Sequence, residues 1–277
     1  MNDVVHWLVG LPTAVLFIGL MALGLLIAAG LSWLSSRVIE DDVRSRTSSS
    51  VTTVVGVIAA LYAVLVAFVI VNEWQNYNDA QADVSSESAA LSSVLFNASA
   101  LPQPAFLDIQ LAGLAYDRSI VCDELPYLAD HEGPHPATVT SLRKLYRTVA
   151  NVSPEAKSSP FYSATVDALS DAVKARRARI NAASTRLPDL LLVVIFVTGL
   201  ALVAAASVLD TQHRRWHLVL TTALTLLVSL NLALILSIDR PFDGSAKISD
   251  AALREGIPAA ALRCGRPPTT PVTIASP

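Results

Sequence analysis

Four long apolar windows limit what this chain can fold into: about Leu11–Leu34, Val51–Val71, Leu187–Leu209 and Trp216–Ile238. Each has the length, roughly 20 residues, that a helix needs to cross a hydrocarbon core. None carries the polar stripe that a surface helix of a soluble protein turns toward water. Only 16% of the 277 residues are charged while 53% are hydrophobic, too little charge to cover a soluble domain of this size. The expectation is an all-α integral membrane protein with four transmembrane helices and a helical domain between spans two and three.

The borders of the windows fit that expectation. The first contains no ionisable residue, lacks a basic start, and is followed by Arg37, Glu40, Asp41 and Asp42. It therefore reads as a retained span and not as a cleaved signal. The third opens with Pro188, where a missing backbone N–H costs little, and with Asp189, whose carboxylate suits the positive end of a helix dipole. Trp7, Trp33, Trp74, Tyr77, Trp216 and Phe242 stand near the window ends, at the depth where amphipathic rings settle.

The expected organisation is a first span and short loop over 1–50, a second span over 51–72, a water-exposed helical domain over 73–186, the third and fourth spans over 187–238, and a tail over 239–277. In the middle segment Trp74, Tyr77, Val84, Leu91 and Leu95 keep helical spacing, so the second span continues as an amphipathic helix to about Ala100, where Pro102 and Pro104 stop it. A helix follows from Phe106 to about Leu128, with Leu107, Leu111, Leu114 and Tyr116 as candidate core. Gly133, Pro134 and Pro136 mark a turn, and a short helix covers about Val139–Val149. Ser153 then reads as an N-cap with Pro154 in the first helical position. The last helix, about Tyr162–Arg186, is expected to run into the third span after a bend at Pro188. Beyond Gly256 the tail is rich in proline and small residues and is expected to be disordered.

With four spans both termini share a side with the middle domain. The short loops carry Arg37, Arg44, Arg46, Arg214 and Arg215, and the amino-terminal tail has no lysine or arginine. The positive-inside rule then puts the short loops in the cytoplasm and the middle domain and termini outside. Lys174, Arg176, Arg177, Arg179 and Arg186 weigh the other way, although long segments translocate with little regard to charge. Cys122 and Cys264 fall on one side in either orientation. They are two separate buried thiols or, if that side is oxidising, a disulfide pinning tail to domain.

The motifs give little chemistry. His131-Glu132-Gly133-Pro134-His135 has the spelling of a two-histidine zinc helix, but a proline between the ligands breaks that helix. His213 and His217 flank Arg214, Arg215 and Trp216 and read as an interfacial anchor. Arg176, Arg177 and Arg179 read as a solvated helix face, or else as the lining of an anion route. No nucleophile–base pair, metal set or phosphate loop is visible, so no enzyme activity, cofactor or metal is expected. A net charge of -3 argues against a nucleic-acid partner. Asn231 and Ser229 lie inside the fourth window, and Tyr62 inside the second; such groups face other helices or a water-filled path. Glu73 and Asp239-Arg240 end the second and fourth windows, and a Glu73–Arg240 or Asp239–Arg240 ion pair is expected there.

Several of these stretches together resemble a bacterial membrane family described as bestrophin-like. They are Leu61–Val71 with Trp74, Tyr77, Ala80, Val84, Glu87 and Leu91; Arg176-Arg177-Ala178-Arg179; Leu187-Pro188; and Asp239-Arg240-Pro241-Phe242-Asp243-Gly244. The resemblance covers about residues 10–250. The chain departs from the family pattern at Ser88, where alanine usually follows the acidic residue, and at Leu125, where tryptophan often follows the glutamate. Bestrophins are oligomeric anion channels, so the resemblance implies a homo-oligomer in the lipid bilayer that conducts inorganic ions. Their large helical domain is cytoplasmic, opposite to the orientation argued from the loops. The alternative is a membrane-anchored sensor or protein-interaction module.

Overall fold

The computed structural model describes residues 13–38, 41–131, 133–208, 214–239, 241–242, 247–255 and 264. They form helices α1 (Thr13–Val38), α2 (Asp41–Ala98), α3 (Ala105–Ser119), a single π-helical turn (Ile120–Glu124), α4 (Leu125–Asp130), α5 (Pro136–Ala150), α6 (Pro154–Lys157), α7 (Pro160–Ser184), α8 (Asp189–Val208), α9 (Arg214–Ile238) and α10 (Ala251–Glu255). No strand occurs among the described residues. The chain divides into a unit of 1–75, 186–240 and 244–246, and a second unit of 76–185, 241–243 and 247–277.

In the first unit α1 packs on α8 and α9, which also pack on each other. The first part of α2 joins their core through Tyr62, Val66 and Val69, against Ile195, Leu202, Val228 and Ile235. Among the described residues, three helical stretches are long and apolar enough to cross a membrane: 52–98, 189–207 and 218–238. The described apolar stretch of α1, Phe17–Leu31, is shorter. Leu26, Leu61, Phe68, Leu190 and Val197 point outward, more than half exposed. An apolar surface of that extent is stable against lipid and not against water.

Close approach in this unit depends on two glycines. A Cβ on Gly24 would lie 2.6 Å from Thr225 Cγ2 and 3.4 Å from Ser229 Oγ, and one on Gly199 would lie 3.1 Å from both the Tyr62 hydroxyl and Val228 Cγ1. Small residues let helix backbones meet where no hydrophobic force drives helices together.

The second unit begins where α2 stops being apolar all round. Ala80, Val84, Glu87, Leu91, Val94 and Ala98 are all buried, a 4-3-4-3-4 spacing that keeps one face inward. Helix α7 shows the same pattern through Thr165, Leu169, Ala172, Arg176 and Arg179. The middle helix expected from Phe106 is α3, the π turn and α4 in succession. Its inward face is Ile109, Ala112, Leu114 and Tyr116, whereas Leu107 and Leu111 are 40% and 46% exposed, which corrects the expected core. Gly133, at φ 95°, supplies the turn before α5 that a side chain would disfavour.

Ser153 caps α6 by accepting the Ala156 amide at 3.2 Å, but that helix is only Pro154–Lys157. A second serine–proline pair, Ser159-Pro160, starts α7. Helix α7 ends at Ser184, and non-helical residues 185–188 separate it from α8, so the expected bend is a break. Of the tail, 247–255 is ordered against α2: Ser88 Oγ donates to the Ala252 carbonyl at 2.6 Å, the Ser249 amide donates to Gln81 Oε1 at 3.3 Å, and Leu253 is fully buried. The expected disorder concerns residues that, Cys264 apart, lie outside the described ones.

Candidate functional site, a buried carboxylate and arginine cluster

The two stripes that pack the second unit each carry charge in apolar register. Glu87 of α2 and Arg179 of α7 are completely buried, as is Glu124 at the end of the π turn, and Arg176 is 8% exposed. This overturns the reading of Arg176 and Arg179 as a solvated face. Only Arg177 of that run keeps the expected exposure.

Arg179 holds both carboxylates: Nε donates to Glu87 Oε2 and Nη2 to Glu124 Oε2, each at 2.6 Å. Arg176 Nη2 donates to Glu124 Oε1. The Tyr116 hydroxyl donates to Glu87 Oε1 at 2.6 Å, and the His135 amide donates to Glu124 Oε1 at 3.2 Å. Two carboxylates and two guanidiniums balance, so the cluster satisfies the rule that buried charges are paired and hydrogen-bonded. The planar arginine fork bridges two acceptors, which a lysine ammonium does less well.

Protonation follows from these contacts. Burial works against the charge on Arg179, yet Glu87 and Glu124 outweigh it and hold the guanidinium ionised. Burial, reinforced by Glu87, pushes the Tyr116 phenol up, so it stays a donor. Asp117, next in sequence and 5% exposed, is pushed up to about 8 by burial and by the negative charge of Glu87. At neutral pH it is mostly protonated, leaving the cluster neutral. Asp117 Oδ1, Arg176 Nε and Arg179 Nη1 are buried without a hydrogen bond among the described residues.

One short segment serves two purposes: Glu124, at the end of the π turn, is fully buried, while Cys122, two residues earlier and so on another face, is half-buried. Cys122 is bonded to Cys264, with Cα atoms 5.4 Å apart and a separation of 142 positions in sequence. The tail is thus tied to the turn that carries Glu124, and it lies on Ser88, adjacent to Glu87.

The other residues singled out from sequence are dispersed. Tyr62 is buried in the first unit, and its hydroxyl makes no hydrogen bond among the described residues. Ser229 is buried beside Gly24, whereas Asn231 is half-exposed and its amide donates to the Leu227 carbonyl of its own helix at 2.9 Å. Asn231 and Ser229 therefore do not share a face. Glu73 is buried, with Asn72 Nδ2 donating to Oε1 at 3.3 Å. Asp239 is buried and its Oδ1 accepts the Leu187 amide at 2.7 Å, securing the break before α8. Arg240 lies outside the described residues, and with it the expected Glu73–Arg240 or Asp239–Arg240 pair.

His131 stacks on Tyr127 with ring centroids 4.2 Å apart, and His135 meets the same ring edge-on at 5.0 Å. Glu132, His213 and the side chain of His217 lie outside the described residues. Among the described residues no group of three or more His, Cys, Asp or Glu is placed to hold a metal.

Sequence reasoning missed Glu87 and Glu124 as site residues. The signal was available: a charge at a position where the 4-3 spacing calls for an apolar side chain is buried, and must find its opposite. Glu87 and the arginine run fall within the stretches that carry the family resemblance, and Glu124 stands next to the departure from it at Leu125.

No curated protein and no solved structure matches the chain. The family model for the bestrophin-like domain matches residues 5–253, and the chain belongs to the bestrophin-like family.

Proposed function

We propose that the protein is an oligomeric multi-pass membrane protein that conducts ions, with anions the favoured class. The membership of the bestrophin-like family over 5–253 carries this reading. In it, α1 is also a span, the first of four in chain order: its 26 residues reach across a bilayer. Half-exposed Asn231, inside an apolar span, supports a homo-oligomer, because its bond to the Leu227 carbonyl uses only one of the carboxamide's hydrogen-bonding groups and lipid offers nothing to the rest. Spans two and four would lie nearest the path.

The orientation proposed places the short loops in the cytoplasm and the second unit and both termini outside. The Cys122–Cys264 bond supports this, since such bonds persist in oxidising compartments. No enzyme activity is part of the reading. Purified protein in planar bilayers should give current across a chloride gradient. Silence across chloride, potassium and sodium gradients would refute conduction.

A second reading, a membrane-anchored sensor or interaction module, draws support from the disulfide-strapped second unit. A closed dimer with sealed spans would favour the module, and a ring around a continuous polar path the channel.

A further inference from the structure

The second unit contains a groove of about 460 Å³ between α3 and α5, within the size range of small-molecule sites. Its floor is apolar, built on Ala112 and Val152. Its walls carry opposite charge: Asp108 stands on α3, and Lys144 and Arg147 stand on α5. Asn151, which caps the C-terminus of α5 just past Arg147, adds an amide to the cationic wall. No ion pair joins Asp108 to Lys144 or Arg147 among the described residues. The charges that could neutralise one another across the groove are therefore left available to an occupant.

We propose that this groove binds a free amino acid, with the ammonium on Asp108 and carboxylate on Lys144 and Arg147. The carboxylate of Asp108 only accepts hydrogen bonds, and the lysine and arginine only donate, so the two walls match the two ends of a zwitterion and not a simple acid or amine. Two cations against one carboxylate leave an excess positive charge, which favours an acidic amino acid with its second carboxylate. The apolar floor accommodates the methylenes between them. This proposal does not depend on whether the protein conducts ions.

The test is isothermal titration of the full-length protein in detergent micelles with L-glutamate and with glutarate, the same dicarboxylate without the ammonium. Glutamate should bind at least about tenfold more tightly, the size of one charge-assisted hydrogen bond. Asp108→Asn should abolish that preference without weakening glutarate, whose two carboxylates lose a repelling neighbour. The double variant Lys144→Met with Arg147→Met should weaken both ligands at least about tenfold. All three side chains belong to exposed residues, and an unaltered thermal transition shows that each variant is folded. No glutamate binding, equal binding of glutarate, or a preference that survives Asp108→Asn would each overturn the proposal.

Discussion

Replacing Arg179 with methionine removes one cation from a cluster in which it holds two carboxylates, Glu87 and Glu124. Methionine fills much of the volume, so the effect is mainly electrostatic. Glu87 keeps only the Tyr116 hydroxyl, and Glu124 keeps Arg176 and the His135 amide. Breaking a buried pair by removing one partner costs about 3–5 kcal/mol, and the loss should lie toward the upper end because two pairs break together. For a unit of this size that corresponds to a fall in Tm of at least about 10 °C. The assay is thermal unfolding in micelles by circular dichroism, with hydrogen exchange of peptides from 76–98 and 160–184 to assign the change to the second unit. Arg179→Lys should fall between parent and methionine variant, since an ammonium cannot fork to both acceptors. Glu87→Leu combined with Arg179→Met leaves the neutral Glu124–Arg176 pair and should recover most of the lost stability. A methionine variant within about 0.5 kcal/mol of the parent, the range of ordinary surface changes, would refute the reasoning. So would a double variant no more stable than the single.

Other outcomes follow from the same geometry. Asp117 binds its proton more tightly folded than unfolded, so its contribution is full below its ordinary carboxylate range and is lost as pH rises to about 8; Asp117→Asn should flatten the fall in Tm between about pH 5 and 8. Cys122→Ser opens a link spanning 142 positions, whose chain-entropy worth is about 5 kcal/mol at most; limited proteolysis should cut the tail in the variant and spare it in the parent. Gly24→Val puts side-chain atoms where a Cβ would already sit 2.6 Å from Thr225 Cγ2. Overpacking of this kind costs about 1–3 kcal/mol, measurable as faster thermal inactivation in micelles, whereas Gly19→Val, with nothing within 4 Å, should leave it unchanged.

The apolar windows and proline boundaries were legible because each rests on local chemistry. Pro188 falls just before α8, and Ser153-Pro154 starts a helix. Missing from such reading was the register of charge across distant segments. Arg176 and Arg179 form a run with Arg177, and a run suggests a solvated face. Only when their 3-residue separation is set beside buried Leu169 and Ala172 do they fall on the inward stripe, and only the tertiary pairing with Glu87 and Glu124 shows why that burial is tolerated. Leu107 and Leu111 were assigned inward by hydrophobicity, yet Leu111 lines the open groove on α3. The two cysteines posed a pairing question that spacing could not answer, because residues 142 positions apart are brought together only by packing.

The orientation proposed above puts the second unit, strapped by Cys122–Cys264, on the oxidising side of the membrane. Labelling intact cells with a membrane-impermeant maleimide, before and after an impermeant reductant, tests it directly. With the bonded cysteines outside, neither takes label before reduction and both take it afterwards without lysis. Label appearing without any reductant, or only once the cells are broken open, would contradict it.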